Sequence, residues 1–235
     1  MHRLFFLVTL ALIAAGCGSQ PPRPQSRREI SWTSRNNTHL GLDPLPVEDY
    51  PALKKFYKLR EVQFTFRAAT DEKMEALAGV GLTNLYCVTM NGSSHITDRG
   101  IEALARIPSV HSLGLEGASI TDAALETIAS RMLPHSVNIA SCSNITFNGL
   151  LKLARASTLK DFGFSSDRLT TTDVVHLLDA SQSLERFQIT GPSGHLDRSA
   201  IHNAADKKTQ LQGKHLQIVF QPKGSISMTF PLREK

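Results

Sequence analysis

The sequence predicts an α/β solenoid: a right-handed coil with a parallel β-sheet on its concave face and short helices on its convex face. Three observations lead there. Apolar residues at Val62, Val88, Leu113, Val137, Phe162 and Phe187 recur 26, 25, 24, 25 and 25 residues apart, and a period of about 20–50 residues marks a stacked array. Each lies in a short run, "LREVQF", "LYCVTM", "VHSLGL", "HSVNI", "LKDFGF" or "LERFQI", with apolar residues at alternate positions. That is the period of a strand with one buried face. Five of these runs are followed or preceded by a Thr-led segment with apolar residues three or four apart, "TDEKMEALA", "TDRGIEALA", "TDAALETIA", "TFNGLLKLA" and "TDVVHLLDA". Those are short amphipathic helices.

Taken in order, residues 1–17, "MHRLFFLVTLALIAAGC", carry Arg3 and then an apolar run from Leu4 to Ala15. The run is too short to cross a bilayer comfortably as a helix and reads as a secretory signal. The ending "AAGC" resembles the bacterial lipoprotein signal, with Ala14 where that family most often has Leu. The resemblance implies cleavage before Cys17, diacylglyceryl modification of its thiol and attachment to a cell membrane through that lipid. Gly18, in place of an Asp after the cysteine, implies the outer membrane. Residues 18–44 then form a flexible basic, Pro-rich tether. Most of the net charge of +5 comes from Arg3 and the Arg residues between 18 and 40, which leaves the rest of the chain close to neutral. A nucleic-acid face needs clustered Lys and Arg, so no nucleic-acid partner is expected.

Residues 45–235 hold the repeats and their two ends. An open parallel sheet needs its ends covered. At the first end, residues 45–58, "LPVEDYPALKKFYK", offer Leu53, Phe56 and Tyr57 to lie over the first unit. In each unit the Thr hydroxyl suits the free amides of the first helical turn, and an Asp beside it suits the positive end of the helix dipole. Pairs such as Met74 and Leu77, Ile101 and Leu104, or Leu150 and Leu153 then bury one stripe. Arg106, Arg131 and Arg155 recur near helix ends, where a cation opposes the negative end of the dipole. Burying each anchor contributes about 1.5–3 kcal/mol. Six to seven units at about 4.8 Å between strands give an arc of roughly 30 Å. At the far end, about 211–235, "HLQIVFQPKGSISMTF" has two alternating apolar runs around Pro222-Lys223-Gly224, the pattern of a hairpin cap.

This pattern resembles the leucine-rich repeat, specifically its cysteine-containing subtype. "VNIASCSNIT", residues 137–146, follows that subtype's L-x-L-x-x-C-x-x-I-T run, with Cys142 where the chain turns out of the strand. Other units have Ser93, Ala118 or Asp167 there, and Phe147 stands in place of a helix-starting Asp. The resemblance covers about residues 59–201 and implies a protein-interaction module.

Chemistry-bearing motifs are sparse. Neither a phosphate loop nor a dinucleotide fingerprint is present. The nine histidines do not pair as H-x-x-x-H, and of His95, His111 and His135 in three adjacent units the first stands before the Ile-Thr turn and the other two near strand starts, in different repeat phases. No metal or cofactor is expected. Cys87 and Cys142 are too few for a disulfide framework and read as buried small hydrophobes. "GPSGHLD" brings Ser193, His195 and Asp197 close in sequence, but a catalytic triad is assembled in space from a scaffold, and this reads as a turn. No catalytic residue is expected.

The candidate binding surface is the concave strand face. By register it presents Gln63, Thr65, Thr89, Asn91, Ser112, Glu116, Asn138, Ser165, Arg186, Gln188 and Thr190. The surface is small, polar and lightly charged, and the expected function is non-enzymatic binding of a protein partner in the bacterial cell envelope. Two alternatives stand beside it: an envelope enzyme using an irregular region at 191–214, and an intracellular adaptor of the F-box type, which conflicts with the signal sequence.

Overall fold

The computed structural model describes residues 38–222 apart from residues 44, 65–67 and 193. The signal, Cys17, most of the tether and the second arm of the expected C-terminal hairpin lie outside the described residues. Among the described residues, eight strands form one sheet: β1 (His39–Gly41), β2 (Glu61–Gln63), β3 (Cys87–Thr89), β4 (Ser112–Gly114), β5 (Ser136–Asn138), β6 (Asp161–Ser165), β7 (Arg186–Thr190) and β8 (Gln217–Gln221). They lie in strict chain order and every neighbouring pair is parallel. Between them run α1 (Asp71–Val80), α2 (Asp98–Leu104), α3 (Asp122–Arg131), α4 (Phe147–Ala154), α5 (Thr171–Ala180) and α6 (Arg198–Gln212). The fold is an α/β leucine-rich-repeat solenoid.

The anchors stack. Leu40, Val62, Val88, Leu113, Val137, Phe162, Phe187 and Ile218 are register partners across the eight strands. Two residues on, Phe64, Met90, Leu115, Ile139, Phe164 and Ile189 fill a second buried column. Toward the C-terminal end aromatic rings replace aliphatic ones, and Phe162, Phe164 and Phe187 meet at centroid separations of 5.0–6.0 Å. Helix residues Met74, Leu77, Ile101, Leu104, Leu125, Ile128, Leu153, Val174 and Leu177 close the core from the other side, each fully buried.

The helix starts are built as the sequence suggests, with one addition. Thr70, Thr97, Thr121 and Thr170 accept at 3.2–3.3 Å from an amide of the first turn. The Asp after Thr70, Thr97 and Thr121 does more than face the dipole. Asp71 accepts from the amide and hydroxyl of Thr97 in the next unit, at 2.9 and 2.6 Å. Asp98 does the same to Thr121 at 2.7 and 2.6 Å, and Asp122 to Thr146 at 2.9 and 2.5 Å. These three links form an Asp–Thr ladder along the tops of the helices. It stops at Phe147, which carries no carboxylate, and Thr170 instead closes a capping box with its own Asp173. Gly100 and Gly149 lie under the ladder carboxylates; a Cβ on Gly149 would come within 2.1 Å of Asp122 Oδ1.

Both ends differ in detail from expectation. The sheet begins earlier than the repeat period indicates, because β1 falls within residues 18–44. A 3-10 helix, Val47–Lys55, takes the place of an α-helix after it and contains Pro51, whose missing N–H breaks the longer helical ladder. Tyr50 and Leu53 are buried there and Phe56 is half-buried, whereas Tyr57 is 70% exposed. Tyr50 therefore provides the cover expected of Tyr57. At the other end, most of residues 191–214 is helix α6, ended by Gly213 in the left-handed conformation at φ 66°. Lys208 of α6 is buried and donates to the carbonyls of Ser181 and Asp179 at the end of α5. Arg106 reaches back to Glu75 of α1 rather than to the end of its own helix.

Candidate functional site

Side chains flanking the anchors leave the opposite face of the sheet and align in rows. The entry row is Glu61, Cys87, Ser112, Ser136, Asp161, Arg186 and Gln217. The central row is Gln63, Thr89, Gly114, Asn138, Gly163, Gln188 and Val219. At the exit side, Ser165, Thr190 and Gln221 are register partners, and Asn91 and Glu116 precede them in the earlier units. Thr65 lies outside the described residues.

The face is less open than its polarity suggests. Gln63 is exposed, and Thr89, Asn91, Glu116, Ser165 and Arg186 are half-buried, but Ser112, Asn138, Gln188 and Thr190 are buried. Short polar side chains here turn along the sheet rather than standing up from it. Asn138 Oδ1 accepts from the amide of Ala140 at 3.1 Å, and Gln188 Nε2 donates to Gln221 Oε1 at 3.0 Å. Asn138 lies over Gly163, where a Cβ would come within 2.8 Å of its oxygen, and Asn91 lies over Gly114 in the same way at 3.0 Å. Those two glycines keep room for the asparagine of the preceding strand.

The entry row carries the strongest electrostatic feature. Asp161, only 3% exposed, pairs through Oδ2 with Arg186 at 3.2 Å. Burial pushes its carboxyl up to about 6, against the pull of the Arg186 guanidinium. Burial also raises the carboxyl of Glu116. Among the described residues, four buried polar atoms on this face have no hydrogen-bond partner: Ser136 Oγ, Asn138 Nδ2, Asp161 Oδ1 and Thr190 Oγ1.

The residues singled out for other chemistry have structural surroundings. Cys87 is buried and Cys142 half-buried, and burial pushes their thiols up to about 11 and about 12, which leaves little thiolate at neutral pH. Cys142 Sγ donates to the carbonyl of Leu115 at 3.1 Å, tying the turn of one unit to the strand of the unit before. The position held by Cys142 is buried at Ser93 and Ala118 but exposed at Asp167, where buried Ser166 takes the inward place. His195 Nε2 lies 3.2 Å from the carbonyls of Ser166 and Leu169, and Asp197 caps α6 by accepting from the amide of Ala200 at 3.0 Å. Ser193 lies outside the described residues.

Sequence reasoning missed a column one residue ahead of the strands. Arg60, Tyr86, His111, His135, Lys160 and Glu185 follow one another, each carbonyl accepting from the next residue's amide at 2.7–3.0 Å. His111 and His135 stack at 5.0 Å, with Tyr86 at 5.7 and 6.0 Å from them, and His95 is elsewhere on the surface. The signal was available in the repeat phase, since all six stand two residues before an anchor. Among the described residues no group of three or more His, Cys, Asp and Glu could hold a metal ion. A separate groove of about 510 Å³ opens where the Asp–Thr ladder stops, lined by Ile139, Phe147, Leu150, Phe164 and Leu169 with Arg168 at its rim.

No protein-family model and no curated protein matches the chain. Among solved structures it is similar to the one titled "Leiomodin-1 Actin-Binding Site 2 (ABS2)", with a TM-score of 0.35 and 15% identity over 71% of this chain and 91% of that one. It is also similar to a Caenorhabditis elegans tropomodulin C-terminal domain, with a TM-score of 0.37 and 15% identity over 71% of this chain and 97% of that one.

Proposed function

We propose that this chain is a membrane-anchored bacterial envelope lipoprotein whose solenoid is a non-enzymatic module that holds a protein partner on its concave strand face. The observation that carries the binding part is the polar strand face itself, where Gln63 is exposed and Thr89, Asn91, Glu116, Ser165 and Arg186 are half-buried and open to a partner. The low aromatic content of the face favours a polar interface over one dominated by large anchors. The enzymatic alternative loses ground because His195 and Asp197 are engaged in loop and cap hydrogen bonds. For the anchor and the outer-membrane address, the support is the run from Met1 to Gly18.

Two measurements test the proposal. Mass spectrometry of the mature N-terminus is expected to find a lipid on Cys17, and an unmodified cysteine overturns the anchor. A crosslinking pulldown from the envelope is expected to lose its partner when Asn138→Arg and Gln188→Glu are combined. A partner list identical to that of the unaltered protein overturns the concave face.

A further inference from the structure

The column ahead of the strands borders a depression of about 520 Å³ whose lining includes Lys58, Arg60, Thr83, Asn84, Tyr86 and His111 and, among the described residues, contains no carboxylate. Its two cations are held by rings. The Arg60 guanidinium sits 5.8 Å from the centroid of Tyr86, and the Lys58 ammonium 5.6 Å from that of Tyr57. Tyr86 is fixed in turn, its hydroxyl 3.0 Å from His135 Nδ1 and its ring edge-on to His111. His111 Nδ1 lies 3.1 and 3.2 Å from the carbonyls of Met132 and Leu133; a carbonyl only accepts, so Nδ1 carries the hydrogen. Among the described residues neither Lys58 nor Arg60 forms an ion pair. Four other exposed cations, Arg99, Arg106, Lys152 and Lys160, each pair with a Glu.

We infer that this depression is an oxyanion site, and that its ligand is a phosphate monoester or a carboxylate carried on a small organic body. Two cations sharing one concavity without a counter-charge repel each other, and an anion between them removes that repulsion. A guanidinium offers paired donors to two oxygens of one phosphate or carboxylate, while an ammonium supplies a point charge beside them. The Thr83 hydroxyl adds a neutral donor at the same rim. The volume exceeds that of a bare oxyanion and falls within the range of small-molecule sites, about 300–1,000 Å³. Tyr86 and His111 wall the side where the organic body would rest. This site lies outside the three concave rows, so it stands independently of the proposed protein partner.

Titration of the full, isotope-labelled chain with phenyl phosphate and with benzoate, against sodium chloride at equal ionic strength, tests the inference by amide chemical shifts. The expected result is a saturable response confined to residues 58–60, 83–86 and 109–111, with a dissociation constant near or below roughly 1 mM. A response to phenyl phosphate alone assigns the site to phosphate esters, and one to benzoate assigns it to carboxylates. The pair Lys58→Glu and Arg60→Glu is expected to weaken binding at least tenfold with the melting temperature unchanged. Should that pair melt early, Lys58→Gln with Arg60→Gln takes its place. A response that matches sodium chloride, spreads over the sheet, or survives both pairs overturns the site.

Discussion

Asp161 shows how a single side chain couples this fold to pH. Its folded-state value of about 6 lies above the ordinary aspartate value of 3.8, because burial outweighs the attraction of Arg186. The folded protein then holds a proton there that the unfolded chain has released, so stability falls as pH rises from about 4 to about 6 and levels off above. Asp173 works in the opposite direction: hydrogen bonds from Thr170 lower its value, and its contribution is lost as pH falls. Replacing Asp161 with Asn is expected to remove the decline between pH 4 and 6, an effect on the order of 2 kcal/mol. Urea denaturation of both proteins across that range measures it, and parallel curves would refute it. The sequence reveals that Asp161, Asn138 and Gln188 stand on the strand face, since alternation fixes the side to which each points. It does not reveal that Asn138 and Gln188 turn along the sheet, because that depends on neighbours about 25 residues away, such as Gly163, and on the partner oxygen of Gln221.

At the scale of elements, the unit of construction is the joint between successive helix starts. Thr followed by Asp is legible as a cap, but the carboxylate's bond to the next Thr is not, because nothing within one unit distinguishes a local partner from one a turn of the coil away. The clue lies in Gly100 and Gly149 at the third helical position, where small size is required by the Asp of the unit before. In an ordinary helix, replacing Gly with Ala stabilises by about 1 kcal/mol. For Gly149→Ala the opposite sign is expected, a loss of about 1–3 kcal/mol, because the new methyl must displace Asp122 from Thr146. In an Asp122→Ala background the same replacement is expected to cost far less. Thermal melts of the four proteins in that cycle decide the matter, and equal effects in both backgrounds would remove the steric explanation. The long helix α6 was also hidden from sequence reasoning, which left residues 191–214 irregular; its polar stretch "IHNAADKKTQLQG" presents only Ile201, Ala205 and Lys208 to the interior.

For the whole molecule, the period of the anchors was enough to give the class of fold and the register of β2 to β7. It understated the sheet by its two ends, where β1 and β8 stand outside the strict spacing of about 25 residues. Because all the inward columns are shared, damage to one unit reaches its neighbours. Leu113→Asp, at a position 2% exposed in the middle of the array, is expected to cost about 4 kcal/mol or more and to lower the melting point by roughly 10 °C. Calorimetry reads this directly, and a transition within a degree of the unaltered protein would contradict the shared core.

The strict chain order of the strands, β1 beside β2 and on to β8 with no crossing, has a bearing on synthesis. Every strand after β1 has its template already made when it emerges from the ribosome, and none of them waits for a segment still to be translated. Growth can therefore proceed from the first turn to the last, as a zip closes, with the unfinished coil offering one fresh edge at a time.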